Sequence, residues 1–274
     1  MCGNIDQICQ TPTSGSVLGI DIGYSETRRS SAGCRLDWDL TEATFCITRF
    51  RALEPERSNA IRNLIDRPLL VAAFDGPLRS DLKVIGRYRL AEQLLTRRLR
   101  PLIGKPGQAS SPVGKRLNAH ANACAKIVLE LGLLGTAVHD HAINRLAIVE
   151  AFPSSFLGVL IENPAILTAR RGDRSDKFFV HLNESGGLLE LLQHLLPGRT
   201  TKSFAKASNH DDRAALICAL TALCIVSGDY TAIGDADGWI ILPPARLIRP
   251  WAWSLLHQNA QYGGLEWRKP RSKN

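Results

Sequence analysis

Three short apolar runs in this chain each close on an acid: "VLGID" at Asp21, "LLVAAFD" at Asp75 and "LAIVE" at Glu150. A continuous apolar run bounded by turn residues, as at Asp75, Gly76 and Pro77, marks a strand covered on both faces. Strands of that kind belong to a largely parallel sheet with helices on either side, so the pattern predicts an α/β fold. Ligands gather beyond the carboxyl ends of such strands. If the three strands are parallel neighbours, spaced ~4.8 Å apart, Asp21, Asp75 and Glu150 converge on one edge. Each acid also has a local reading: Asp21 and Asp75 as strand-end turn formers, Glu150 as a cap for the helix behind it.

Like charges gathered so closely raise one another's pKa unless a cation neutralises them. An all-carboxylate cluster therefore calls for Mg²⁺ or Mn²⁺, both oxygen-seeking. A fourth acidic position stands in "SNHDDRAALICALTALCIV", a strong helix with Asn209 to Asp212 as cap and first turn. Two divalent ions about 4 Å apart activate water and stabilise the leaving oxygen of a phosphodiester.

The remaining segments fit one domain. "CRLDWDL" and "ATFCITRF" alternate as two further strands, and "PERSNAIRNLI" has helical spacing. From Arg79 to Arg116 ten basic residues face only Asp81 and Glu92. The first half of that segment reads as helix, its "IGKPGQASSPVGK" middle as loop, and Asn118 to Leu134 as an apolar-faced helix. Pro153 stands just inside a helix start, Arg170 to Lys177 reads as a charged loop, Leu188 to Leu196 as a helix, and "GDADGWIILPP" as a turn and short strand. The expected organisation is a flexible leader at 1–16, a single domain at 17–260 with a basic helical insertion at about 79–134, and a basic flexible tail at 261–274.

Net charge of +8 favours a polyanionic partner, and the basic segment, with Arg79, Arg87, Arg97, Arg98, Arg100 and Lys105, is the place for a phosphate backbone. Seven cysteines without CxxC spacing suit a reducing cytoplasm. The longest apolar stretch, Ala214 to Val226, falls short of the roughly 20 residues of a bilayer span, so no membrane partner is expected. His210 is a candidate for proton transfer, and Trp239, Trp251, Trp253 and Trp267 for stacking on bases; helix capping and core packing are their plainer roles, core packing above all for Trp239 in its apolar strand. His139, Asp140 and His141 form a loop cluster not read as a metal site.

In order along the chain, "GIDIGYS", "AAFDGPL", "VEAFPSS", "HDDRAALICALTA" and "GDADGWIILP" resemble the predicted RNase H-like nucleases catalogued as a domain of unknown function, DUF429. The resemblance spans roughly Val17 to Pro244. It implies a mixed sheet of about five strands flanked by helices, the first three antiparallel, with inserted helices. It assigns Asp21, Asp75 and Glu150 as catalytic metal ligands, and a homodimer is a common state of related resolvases. Where those enzymes carry an aspartate in the alanine-rich helix this chain has Ala214, and Asp211, three residues earlier on the same face, or Asp212 takes its place. The expected function is metal-dependent phosphodiester hydrolysis of a nucleic acid. The alternatives are an actin-like ATPase or kinase-type phosphoryl transferase, and a catalytically inactive nucleic-acid-binding member.

Overall fold

The computed structural model describes residues 11–104, 106–169, 172–201 and 204–269. Its first three strands, β1 (Gly15–Asp21), β2 (Ser31–Trp38) and β3 (Glu42–Phe50), form an antiparallel meander. After helix α1 (Glu56–Leu64), β4 (Val71–Asp75) pairs with β1 in parallel. Three helices, α2 (Leu90–Thr96), α3 (Arg100–Ile103) and α4 (Pro112–Glu130), precede β5 (Ile148–Ala151), which runs parallel to β4. Four more follow, α5 (Pro153–Gly158), α6 (Pro164–Thr168), α7 (Arg174–Glu184) and α8 (Gly187–Leu195), then the short β6 (Thr200–Thr201). The long α9 (His210–Ser227), the β7 (Tyr230–Asp235) and β8 (Gly238–Leu242) hairpin, α10 (Pro250–Asn259) and β9 (Leu265–Arg268) complete the order.

Among the described residues nine strands form one mixed sheet, ordered β6-β3-β2-β1-β4-β5-β8-β7-β9. The fold is α/β, with a wider sheet than the five strands expected. β1, β4, β5 and β8 all run the same way, so their carboxyl ends share one edge.

Strand alternation divides the core. Val17, Val71, Ala73, Val149 and Ala151 belong to the apolar cluster that includes α9, whereas Leu18, Ile20, Ala72, Phe74 and Ile148 pack with α1 and α4. Helix α9 is buried along nearly its whole length, which explains why its apolar residues keep no single stripe. Gly19 lets it come close. A Cβ at Gly19 would lie 2.1 Å from the Ala219 nitrogen and 2.3 Å from the Ala215 oxygen.

Several expectations change. Helix α4 starts at Pro112, capped by the Ser111 hydroxyl, six residues before Asn118; the segment from Arg79 to Arg89 is irregular rather than helical. Helix α7 starts at Arg174, inside the expected charged loop, because Asp173 caps it. A strand, β7, precedes the "DADG" turn. The expected flexible tail supplies β9, whose backbone pairs with β7. The expected leader lies outside the described residues up to 10, and its last residues are engaged: Thr11 donates to the Leu195 carbonyl and Trp38 donates to the Pro12 carbonyl. No helix among the described residues is long and apolar enough to cross a membrane.

Candidate functional site

Asp21 and Asp75 are register partners on neighbouring parallel strands, so their side chains leave the sheet on the same side, toward α9. Asp21 is 8% exposed, lines a cavity of about 260 Å³ at the carboxyl edge with Asp75 and His210, and has no hydrogen-bond partner for its carboxylate among the described residues. Burial, then the Asp75 and Asp211 carboxylates, push the Asp21 pKa well above the usual range. Burial and the neighbouring Glu150 raise Asp75 to about 7, with His210 opposing and Asp173 reinforcing the rise. Asp211, half-buried in the first turn of α9, is also raised, chiefly by burial. Asp75 and Asp211 thus act electrostatically on Asp21, although among the described residues the ligand atoms that lie within 4.8 Å of one another in a group of three belong to Asp173, Asp176 and His210.

Glu150 is placed differently. Phe74 is its register partner, so Glu150 leaves the sheet on the α1 and α4 side and it is Ala151 that shares the side of Asp75. Its carboxylate lines the same cavity but is occupied. Arg89 grips it with two bonds, Nη1 to Oε2 at 2.8 Å and Nη2 to Oε1 at 2.7 Å, while the Leu78 amide donates to Oε2 at 3.0 Å. Arg89, 2% exposed, also donates through Nε to the buried Glu92 at 2.9 Å. Burial works against the guanidinium charge, yet Glu150 and Glu92 outweigh it and hold its pKa above the ordinary arginine value. The sequence hid this residue inside a basic run; the one available signal was Glu92, three positions on, where a helix's first turn would bring it back to Arg89.

Asp212 serves the helix rather than the cavity. Its amide donates to the Asn209 side chain at 3.1 Å, the Asn209 amide group donates back to its carboxylate at 2.6 Å, and Arg49 of β3 lies 3.3 Å from Oδ1. Ala214, by contrast, faces the second pocket at this edge, which Asp75, Asp173, Arg174 and His210 also line. His210 stands among acids there, 3.7 Å from Asp173 and 3.5 Å from Asp176, and ligand atoms of these three lie within 4.8 Å of one another. Asp173 was not anticipated as part of the site; its capping bonds to the Ser175 and Asp176 amides give it a fixed position.

The basic residues divide. Arg79 lies 3.8 Å from Asp81, and Arg87 is paired with Asp237, which removes both from the set of uncommitted cations. Arg97, Arg98 and Arg100 are exposed and pair with no carboxylate among the described residues. Lys105 lies outside the described residues. His141 is a buried core residue, bonded to the Tyr230 hydroxyl and Glu266, and Trp239 packs edge-on to it. The chain matches no family profile, no curated protein and no solved structure.

Proposed function

We propose that this chain is a divalent-metal-dependent phosphodiesterase that cleaves nucleic acid, built on an RNase H-like sheet of the DUF429 kind. The observation that carries the reading is the Asp21 and Asp75 pair: adjacent in register, the first buried and the second half-buried, with no lysine or arginine paired to either carboxylate among the described residues. Supporting it, β3-β2-β1-β4-β5 contains an antiparallel meander followed by two strands parallel to β1.

The residues fit a hard cation. Mg²⁺ and Mn²⁺ prefer oxygen ligands, and Asp21, Asp75 and Asp211 offer carboxylate oxygens whose mutual repulsion an ion would relieve. When bound, the ion supplies positive charge that polarises a phosphodiester and favours deprotonation of an attacking water. The chain's own residues do the rest. Asp21 and Asp75 would hold the ion at the strand ends, Asp211 would approach from α9, and Arg174, which lines the second pocket, would attract the phosphate. Glu150 is not among the ligands of this reading; bonded to the Leu78 amide, it fixes the turn that follows Asp75.

Kinase-type phosphoryl transfer fits less well, because such sites cradle phosphates with backbone amides. After β4, Pro77 has no amide hydrogen and the Leu78 amide is spent on Glu150. One observation favours a binding-only member: Ala214 occupies the helical position expected to carry an acid and faces the pocket. Calorimetric titration of Mn²⁺ into the wild-type chain and Asp21→Asn, beside cleavage of labelled DNA and RNA, separates these readings. Micromolar to millimolar binding lost in the variant, with metal-dependent cleavage, is expected; binding retained in Asp21→Asn overturns the metal site, and metal binding without cleavage of any strand leaves the binding-only reading.

A further inference from the structure

The sheet register carries the carboxyl edge well beyond the acids. Ala151, beside the acidic pair, is a register partner of Ile241, Ile241 of Ala232, and Ala232 of Glu266. One step further along the strands, Leu242 pairs with Thr231 and Thr231 with Trp267. Trp267 therefore stands at the same edge as Asp75, four strands and about 19 Å away at the usual strand spacing, with its side chain on the other side of the sheet, so that a path between them wraps over the edge. Trp267 is 47% exposed and lies edge-on to Trp253 at 5.5 Å and His257 at 5.8 Å, two residues one turn apart on α10.

The ground between the acids and the aromatic group is basic. Asn259 of α10 donates to the carbonyls of Leu94 and Arg97, and Arg98 donates to Gln258 at 2.6 Å. Arg98 takes φ of 62°, a left-handed conformation uncommon outside glycine, so the turn is held in place rather than relaxed. Further along, Arg174 donates to the Arg100 carbonyl, Ser154 donates to the Ile103 carbonyl, and Gly104 lines the pocket that contains Asp75 and His210. The segment from Arg97 to Gly104 thus runs from the tryptophans to the acids, presenting Arg97, Arg98 and Arg100 to solvent.

We propose that this edge is a binding track for single-stranded nucleic acid, with Trp267 and His257 as a base-stacking platform and Arg97, Arg98, Arg100 and Arg174 holding the backbone between platform and cavity. The inference rests on the nucleic-acid reading of the acidic cavity and extends it to the form of the substrate. Aromatic faces stack on any base and arginines follow the phosphates, so the track tolerates sequence but requires unpaired bases. A duplex keeps its bases stacked on one another and leaves the platform empty.

The test is anisotropy of a labelled twelve-nucleotide oligothymidylate with the wild-type chain in EDTA, against an abasic strand of the same length, a duplex, and the variant Trp267→Leu. Oligothymidylate is expected to bind about tenfold or more tighter than the abasic strand, and Trp267→Leu to remove that difference. Equal binding of the base-bearing and abasic strands, preference for the duplex, or no binding at all overturns the proposal. If Trp267→Leu fails to fold, the abasic comparison on the wild-type chain decides alone. Because EDTA removes the metal, failure here leaves cleavage untouched, and absence of cleavage sinks the nuclease reading while leaving the track in place.

Discussion

Two carboxylate sites lie one strand apart on the carboxyl edge and are solved in opposite ways. Glu150 is buried with Arg89 held against it through two hydrogen bonds, and the Leu78 amide satisfies it further. Asp21, buried, and Asp75, half-buried, are register neighbours with no such partner and with raised pKa values. A buried charge is tolerated when it is paired and hydrogen-bonded, and it is costly otherwise. The paired acid is therefore architecture, and the unpaired ones carry an electrostatic cost that a cation, in the reading proposed above, would relieve. The difference arises from alternation: one step along β5 sends Glu150 to the opposite side of the sheet from Asp75.

Breaking the paired half should cost most. Arg89→Met strands Glu150 and Glu92 in the interior and is expected to destabilise the fold by about 3–5 kcal/mol, read by urea denaturation. The double variant Arg89→Met with Glu150→Gln should recover part of that loss, and no recovery would show that the two side chains do not act as a pair.

The unpaired half should respond with the opposite sign. Asp75→Asn removes a carboxylate that resists ionisation in the fold, so the metal-free protein should melt at a higher temperature at pH 8, by the equivalent of a few kcal/mol or less. Linked to this is a pH dependence. Asp75, raised to about 7 in the fold, binds its proton more tightly there than in the unfolded chain. Its contribution to stability is then fully present below the unfolded carboxylate range near 4 and is lost as pH rises to and through about 7. Metal-free wild type should be more stable at pH 5 than at pH 8, Mn²⁺ should diminish the difference, and Asp75→Asn should flatten it; a curve that rises toward pH 8 without metal would contradict the site.

A smaller effect sharpens the comparison from the helix side. Ala214→Asp adds a carboxylate facing the pocket, and calorimetry should show Mn²⁺ binding about tenfold tighter, with stability lowered in EDTA. Smallest for the fold itself, Arg97→Ala, Arg98→Ala and Arg100→Ala together should shift stability by roughly 0.5 kcal/mol or less per residue. The same triple variant should weaken nucleic-acid binding and flatten its salt dependence by about one unit of slope for each phosphate that is no longer neutralised.

Much of the edge was legible in the chain because its cues are local. Apolar runs ending on Asp21 and Asp75 placed two strands, Pro153 opened α5 at its first turn, and Asn209 capped α9. Glu150 was legible as a strand-end acid but not as an inward or outward one, because its side depends on which residue of β4 it meets. Arg89 was concealed for a related reason: composition counts a charge without saying where the chain buries it. Strands β7 and β9 were obscured by Gly234 in the first and by Glu266 and Arg268 in the second, and their pairing supplies what local propensity withholds. Helix α4 was readable from Ser111 and Pro112, a cap followed by proline at the first turn, but the surrounding glycines argued for loop.

The missing side chain at Gly19 sets how far α9 stands from the strand that ends in Asp21, and with it the reach between Asp21 and Asp211. Ligand distances for magnesium, about 2.0–2.1 Å, and calcium, about 2.3–2.6 Å, differ by only a few tenths of an ångström. In the proposed metal reading, a methyl group at Gly19, which would meet the backbone of Ala219 at 2.1 Å and of Ala215 at 2.3 Å, would therefore displace α9 by more than the margin that separates these ions.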